Sequence, residues 1–436
     1  MGKNYRPYLP DQEFLLPPSL RDWLPENHLA YFVSDVIDNL DLSAMDAVYG
    51  DEQRGQPPYN PRLLTKLLVY GYCIGVFSSR KIQQRMAEDI AFRVLAAGNE
   101  PNFRTISDFR KIHLKTLEGL FEQVLKIALE AGAMKLGRVA LDGTKVKANA
   151  SKHKAMSYGR MQEKEQQIRA EVKELLAQAE AADEEEDKRY GKEHSSEELP
   201  AELQRRETRL QKIREAKRVL EQRAREKAKG EGQPTKKAKP ADKDQYNFTD
   251  PESRIMMGAD GFVQGYNAQA AVEPALQLIV GQRVTEAAND KEQLLPMIEV
   301  IEQQSGRRPD AVLADSGYCS EENLERLEAA EAAGKIEAFL ATGKQKHGEH
   351  RQPCPRGPLP KTANRVQRMK RKLQTKAGRA VYAARKAIIE PVFGQIKQGR
   401  GFRQFLLRGL EKVQSEWALV CLTHNILNCR LSKTCA

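Results

Sequence analysis

Between Met156 and Gly230 the chain carries 36 charged residues in 75, 18 of each sign, and a stretch of that kind cannot be folded into an apolar interior. The core must come from the segments on either side, and the charged stretch must stand out from it. Ile168, Val172, Leu175 and Ala179 in its first half, and Leu203, Leu210, Ile213 and Leu220 in its second, keep spacings of three, four or seven. That spacing predicts two helices sharing one apolar seam, turning back at ADEEEDKRYGKEHSSEELP. An antiparallel hairpin over 156–230 is therefore expected, followed by a Lys/Pro/Gly-rich linker over 231–245.

The flanks differ in period. Residues 1–130 read as helical: Leu29, Phe32, Val33, Val36, Ile37 and Leu40 recur at helical spacing, and Asn60-Pro61 is a cap and first-turn pair. Three short helical patterns bearing Arg80, Lys81, Arg85, Arg93, Arg104, Arg110 and Lys111 read equally as a helix-turn-helix-like DNA reader or as an ordinary small bundle. From Leu136 the pattern turns to strands: RVALDGTKVKA, GFVQGYNAQAAV, LQLIVGQRVTE, DAVLADSGY and IEAFLAT. Helical stretches over 290–304, capped by Asn289 or Asp290, and over 320–334, capped by Ser320, alternate with the later strands. The fold class expected is α/β: one mixed domain over 136–155 and 246–436, interrupted by the hairpin and preceded by an all-α domain.

Two strands end alike. Asp142 closes Val139-Ala140-Leu141 and precedes Gly143; Asp315 closes Ala311-Val312-Leu313-Ala314 and precedes Ser316-Gly317. Strand carboxyl ends are where α/β sheets present ligand-binding groups, although a lone Asp there is more often a turn former. Glu390 lies in the helical stretch RKAIIEPVFGQIKQGRGF. At 100° per residue, Lys386 and Lys397 fall within about 40° of it while Arg385 points away. Pro391 should kink or start a helix there. Three such carboxylates suit two Mg²⁺ or Mn²⁺ ions, hard cations that polarise a phosphodiester.

The formal charge of +11 is concentrated. Lys344 to Lys412 holds 19 basic against 3 acidic residues, the footprint of a polyanion binder. His347 and His350 belong to this block and read as part of a basic loop. Six scattered cysteines without a CxxC pair signal neither a disulfide framework nor a zinc ribbon. No apolar run is long enough for a bilayer span, and a cytoplasmic protein is expected. Tyr266 and Gln269 are weaker site candidates, and Trp417, Cys421, His424 and Leu427 read as one buried helix face.

These segments resemble a bacterial insertion-sequence transposase of the DDE class. The resemblance is carried by YRPYLPDQEFLLPPSLRDWLPENHL, VALDGTKVKANAS, DPESRIMMGADGFVQGYNAQAAV, VLADSGYCSEENL and the stretch from AGRAVYAARKAIIEPVFGQIKQGRGF to LTHNI. It implies an RNase H-like core with Asp142, Asp315 and Glu390 as catalytic, metal-binding acids and two Mg²⁺ or Mn²⁺ ions per site. It further implies recognition of terminal inverted repeats, hydrolysis of the end phosphodiester and strand transfer to target DNA. The family's Tyr-Arg-Glu-Lys signature falls on Tyr382, Arg385, Glu390 and Lys397, with one residue too many between Arg385 and Glu390. Tyr382, Lys386 and Lys397 are accordingly expected to contact DNA, with Lys386 preferred to Arg385; Arg400 and Arg403 of the basic block are expected to join them. Handling two element ends implies a homodimer or larger synaptic complex, associated with the bacterial nucleoid. Residues 1–130 are expected to supply end recognition and dimerisation. A transposase-derived DNA-binding regulator that does not cut is the alternative, and a simple RNase H-like nuclease a third reading.

Overall fold

The computed structural model describes residues 19–49, 57–190, 201–230, 233–235, 238–258, 261–331, 336–343, 354–355, 357–360 and 362–431. Its first part is helical: α1 (Leu29–Asp38), α2 (Ser43–Asp46), α3 (Pro61–Cys73), α4 (Ser79–Glu88), α5 (Ile90–Ala96), α6 (Phe103–Ile112) and α7 (Leu114–Glu130). Then come β1 (Arg138–Lys147), β2 (Ala155–Ser157), α8 (Tyr158–Tyr190), α9 (Ala201–Gly230), β3 (Gln245–Asn247), β4 (Arg254–Gly258), β5 (Gly261–Val272) and β6 (Ile279–Thr285). The chain continues with α10 (Leu294–Ser305), β7 (Ala311–Ala314), α11 (Glu321–Glu331), β8 (Glu337–Leu340), α12 (Arg365–Gln374), α13 (Lys376–Gly394) and α14 (Leu410–Leu431). Among the described residues no helix is long and apolar enough to cross a membrane.

Local chemistry sets the helix starts. The Asn60 side chain accepts the Arg62 N–H at 2.8 Å, and Pro61 takes the first helical position, so α3 opens at the Asn-Pro pair. Asp89 and Asn102 cap α5 and α6 in the same way. Helix α3 is buried on almost every side because it packs against α1 and α5 as well as α14. Of the basic residues in this region, Arg80, Lys81, Arg85, Arg93, Arg104 and Lys111 are exposed. Arg110 is not available to DNA. Its Nη1 donates to the Tyr72 hydroxyl at 3.0 Å and to the Phe77 carbonyl at 3.3 Å. The physical reason is Glu416 of α14, a fully buried anion that accepts the Tyr72 hydroxyl at 3.0 Å and draws the nearest guanidinium inward.

The sheet is mixed and β1 is its centre. β5 pairs antiparallel to one side of β1; β7 pairs parallel to the other, with β8 parallel beyond it. β4 and β6 share the far edge of β5. In the β1–β7 register Ala140 faces Leu313, so two residues further on Asp142 and Asp315 stand level, just past the end of β7. α14 covers the sheet beside α7 and α3, and Trp417, Cys421 and His424 are buried in it.

Between β1 and the rest of the sheet, α8 and α9 pack on each other through Tyr158, Met161, Ile168, Leu210, Ile213, Ala216 and Leu220. Glu165, buried in this seam, binds Arg169 and Lys217 at 2.6 Å each and Arg214 at 3.2 Å. β2 and β3 pair antiparallel at the base. Ala179 and Leu203, read as seam positions, have side chains outside the described residues.

Pro391 does not start a helix: α13 runs through it and ends in one π-helical turn, Gln395–Gly399. The carbonyl that Pro391 cannot serve belongs to Ala387, four residues earlier. Gln277, in the β5–β6 turn, donates its side-chain N–H to that carbonyl at 3.0 Å. A side chain from another element thus supplies the missing donor.

Candidate active site

Asp142 and Asp315 meet above the sheet. Each is anchored through Oδ1 by a backbone N–H: that of Gly143 for Asp142, at 2.9 Å, and that of Gly317 for Asp315, at 2.8 Å. Arg385 descends from α13 and places Nη1 3.1 Å from Asp142 Oδ2, with only 9% of its side chain exposed. Burial raises the Asp142 carboxyl above its ordinary range, Arg385 pulls it down, and the like charge of Asp315 pushes it up again. Burial also works against the Arg385 charge, yet Asp142 holds its pKa above the usual arginine value. Tyr382, one turn earlier, hydrogen-bonds Arg385, and burial raises its hydroxyl pKa.

A second group of side chains faces the pair from the β5 side. Asp290 Oδ1 accepts Gln269 Nε2 at 2.6 Å and Asn267 Nδ2 at 2.7 Å, and lies 3.7 Å from Lys145 Nζ. Gln269 Oε1 accepts the Tyr318 hydroxyl, and Trp417 Nε1 donates to the Gln269 carbonyl at 3.0 Å. Gly143 makes this possible. A Cβ there would stand 2.2 Å from Gln269 Nε2 and 2.7 Å from both Asn267 Oδ1 and Asp290 Oδ1. Burial lowers the Lys145 pKa against the pull of Asp290, Asp142 and Asp315. It drives the Tyr318 hydroxyl far up, helped by the same three acids.

Glu390 is not brought to the aspartates. It is exposed on α13, its carboxylate 4.0 Å from Lys386, whose side chain is 74% exposed. Among the described residues, no three His, Cys, Asp or Glu side chains gather closely enough to hold a metal ion. The donor chemistry around the aspartates nevertheless suits a hard divalent cation. Two carboxylates stand together, and Asn267 Oδ1, on a fully buried residue, has no hydrogen-bond partner among the described residues. That oxygen borders the space over Gly143.

The basic residues divide. Lys397 Nζ donates to the Lys145 carbonyl at 2.8 Å, beside the site, and Arg403 is exposed and donates to Gln398. Arg400 is turned inward: its guanidinium donates to Thr423 Oγ1 at 2.7 Å and to the Val420 carbonyl at 3.3 Å, which leaves it spent on α14. Tyr266 faces Asp250, at 2.8 Å, while Gln269 faces the site. Three participants are not singled out as site residues by the sequence. Arg385 was judged by its angle to Glu390, Asp290 was read as a cap although its side chain makes no capping bond, and Lys145 was passed over in the TKVK run. The i,i+2 spacing of Gly143 and Lys145 on one strand face was the signal for the last. His347 and His350 lie outside the described residues.

Asp142, inside β1, and Asp315, just past the end of β7, set two carboxylates side by side on neighbouring parallel strands of a mixed α/β sheet, with Arg385 on Asp142, a polar site with the donor chemistry for a divalent cation. Residues 18–112 match the family described as Transposase domain (DUF772), and residues 234–426 match the Transposase DDE domain. The two matches assign the chain to the insertion-sequence transposases of the DDE class, enzymes that are in general divalent-metal dependent. Asp315 and Glu390 fall within the second match; Asp142 falls between the two, separated from the rest of the sheet by the hairpin. No curated protein and no solved structure matches the chain.

Proposed function

We propose that the protein binds the terminal inverted repeats of its own element, hydrolyses the end phosphodiester and joins the freed 3′-hydroxyl to target DNA. The observation that carries this reading is the juxtaposition of Asp142 and Asp315 beneath Arg385. The strand order β6–β5–β1–β7–β8, antiparallel on one side of β1 and parallel on the other, supports an RNase H-like core. Asp142 and Asp315 would hold Mg²⁺ or Mn²⁺, with Asn267 as a neutral oxygen donor and Glu390 completing the set. When bound, a pair of such ions polarises the phosphodiester and activates a water or a 3′-hydroxyl. Tyr382, Lys386, Lys397 and Arg403 would grip the DNA backbone near the cut, and exposed Arg80, Lys81, Arg85 and Arg104 would contact it from the helical region. Arg400 is left out of this set because α14 occupies its guanidinium. Two ends handled together call for a homodimer or larger synaptic complex.

The exposed position of Glu390, paired with Lys386, favours a second reading: a DNA-binding regulator of transposase descent that does not cut. One experiment separates them. The full chain is incubated with Mg²⁺ and duplex DNA copied from the nucleotides flanking its gene, beside Asp142→Asn, Asp315→Asn and Glu390→Gln. End cleavage by the parent, lost in all three variants while DNA binding persists, supports the transposase. Binding without cleavage by the parent supports the regulator.

A further inference from the structure

Lys145 sits three residues after Asp142 on β1, in register with Asn267 of β5. Its side chain is 15% exposed, and its ammonium lies 3.7 Å from Asp290 Oδ1, longer than a made hydrogen bond. That oxygen already accepts two amide N–H groups at 2.6 and 2.7 Å, so its capacity is largely used. A cation this desolvated ordinarily has a close anionic partner. Here three acids act on the ammonium, Asp290, Asp142 and Asp315, and burial still lowers its pKa.

Arg385 presents a contrast. It is locked on Asp142 at 3.1 Å from α13, whereas Lys145 leaves β1 on the face it shares with Gly143, Asn267 and Gln269 and stands 3.7 Å from Asp290, its pairing half made. The scaffold behind Lys145 is rigid. Asp290 is held by Asn267 and Gln269, Gln269 by the Tyr318 hydroxyl, and the Gln269 backbone by Trp417. An ammonium fixed on such a scaffold, beside two carboxylates suited to divalent ions, is placed to meet the oxygens of a phosphodiester lying between them. Charge on those oxygens rises as phosphorus is attacked, and a preorganised cation in a partly dry site stabilises that charge without reorganising.

We infer that Lys145 contacts the phosphate that is cut and that Asp290 is its positioning residue. Lys145 makes and breaks no covalent bond and keeps its proton throughout. This assignment rests on the function proposed above, and the test separates the two.

The full chain is compared with Lys145→Met, Lys145→Arg and Asp290→Asn on duplex DNA copied from the element's ends. Three quantities are measured: single-turnover cleavage in Mg²⁺ at saturating DNA, the salt dependence of DNA binding in Ca²⁺, and Mn²⁺ binding by electron paramagnetic resonance. Lys145→Met is expected to slow cleavage roughly 10²-fold. It also lowers the slope of log affinity against log salt by about one, with Mn²⁺ binding and melting temperature retained. Lys145→Arg recovers most of the rate. Asp290→Asn keeps an oxygen for both amides but loses the charge that holds Lys145, and slows cleavage by roughly tenfold, the smaller loss of a residue acting through another. An unchanged rate and salt slope in Lys145→Met overturns the assignment, as does a rate loss that follows a loss of Mn²⁺ binding. If the parent itself does not cut, the proposed function fails, and the salt slope alone then decides whether Lys145 touches phosphate.

Discussion

The Arg385 guanidinium stands 3.1 Å from Asp142 Oδ2 and bridges two residues 243 positions apart in the chain. Removing it leaves Asp142 beside Asp315 with no cation on the α13 side. In chelator, Arg385→Met should therefore cost about 2 kcal/mol of stability, read from urea unfolding. Added Mg²⁺ replaces the missing charge, so the rise in melting temperature on adding Mg²⁺ should be larger for Arg385→Met than for the parent. Equal shifts would mean that the guanidinium and the metal act on different groups.

Gly143 is the position at which Asn267, Gln269 and Asp290 approach the β1 backbone. A methyl group there would lie 2.2 Å from Gln269 Nε2, a distance that no real Cβ contact adopts. Gly143→Ala must push this row away from Asp142, at a cost of about 1–3 kcal/mol for overpacking. The protein should still fold, with an unchanged far-ultraviolet circular dichroism spectrum and cleavage reduced well beyond what the stability loss explains. Full cleavage by Gly143→Ala would show that the row has no part in the chemistry.

Much of this arrangement was legible in the sequence for a simple reason. An apolar run followed by Asp-Gly or Asp-Ser-Gly marks a buried strand that delivers a carboxylate, and Asp142 and Asp315 carry that mark without reference to any partner. Asp315 stands just past β7 as expected, whereas Asp142 does not close its strand, because pairing with β5 carries β1 on to Lys147. What was not legible depends on three-dimensional neighbours. The helical angle of Arg385 was measured from Glu390, and nothing in the spacing revealed that α13 turns this side chain toward Asp142. Arg400 and Arg110 have the composition of DNA contacts. Their burial follows from carbonyls of α14 and from Glu416, groups that lie 20 and 306 residues away from them. The donor that meets the Ala387 carbonyl, freed by Pro391, comes from Gln277, more than a hundred residues upstream.

Glu416 ties the helical region to the catalytic sheet. It accepts the Tyr72 hydroxyl from α3 and the N–H groups of Leu406 and Leu407, at 2.9 and 3.0 Å, while Phe405 next to them donates to the Lys147 carbonyl at the end of β1. Burial raises the Glu416 carboxyl pKa, and Arg110 is the charge that opposes this. Glu416→Ala strands two backbone donors, the Tyr72 hydroxyl and a buried guanidinium, and should cost about 3–5 kcal/mol. Glu416→Gln retains an acceptor oxygen and should cost about 1–2 kcal/mol. Urea unfolding of the two variants checks the order; the reverse order would rule out the carboxylate as the organising group.

His424 provides the pH dependence. Its ring is buried in α14 with Nε2 2.9 Å from the Gln277 carbonyl, and burial, aided by the nearby Arg400 charge, lowers its pKa from 6.5 to about 4. The unfolded ring takes up a proton more readily than the folded one, so the stabilisation is complete above pH 6.5. It drains as the pH falls from there toward 4, by a total on the order of 3 kcal/mol. His424→Gln keeps a donor for the Gln277 carbonyl and removes the titration. Its urea midpoint should be lower than the parent's at pH 7 and should fall less than the parent's as the pH is taken down through this window. Parallel curves for the two proteins would assign the acid sensitivity to some other group.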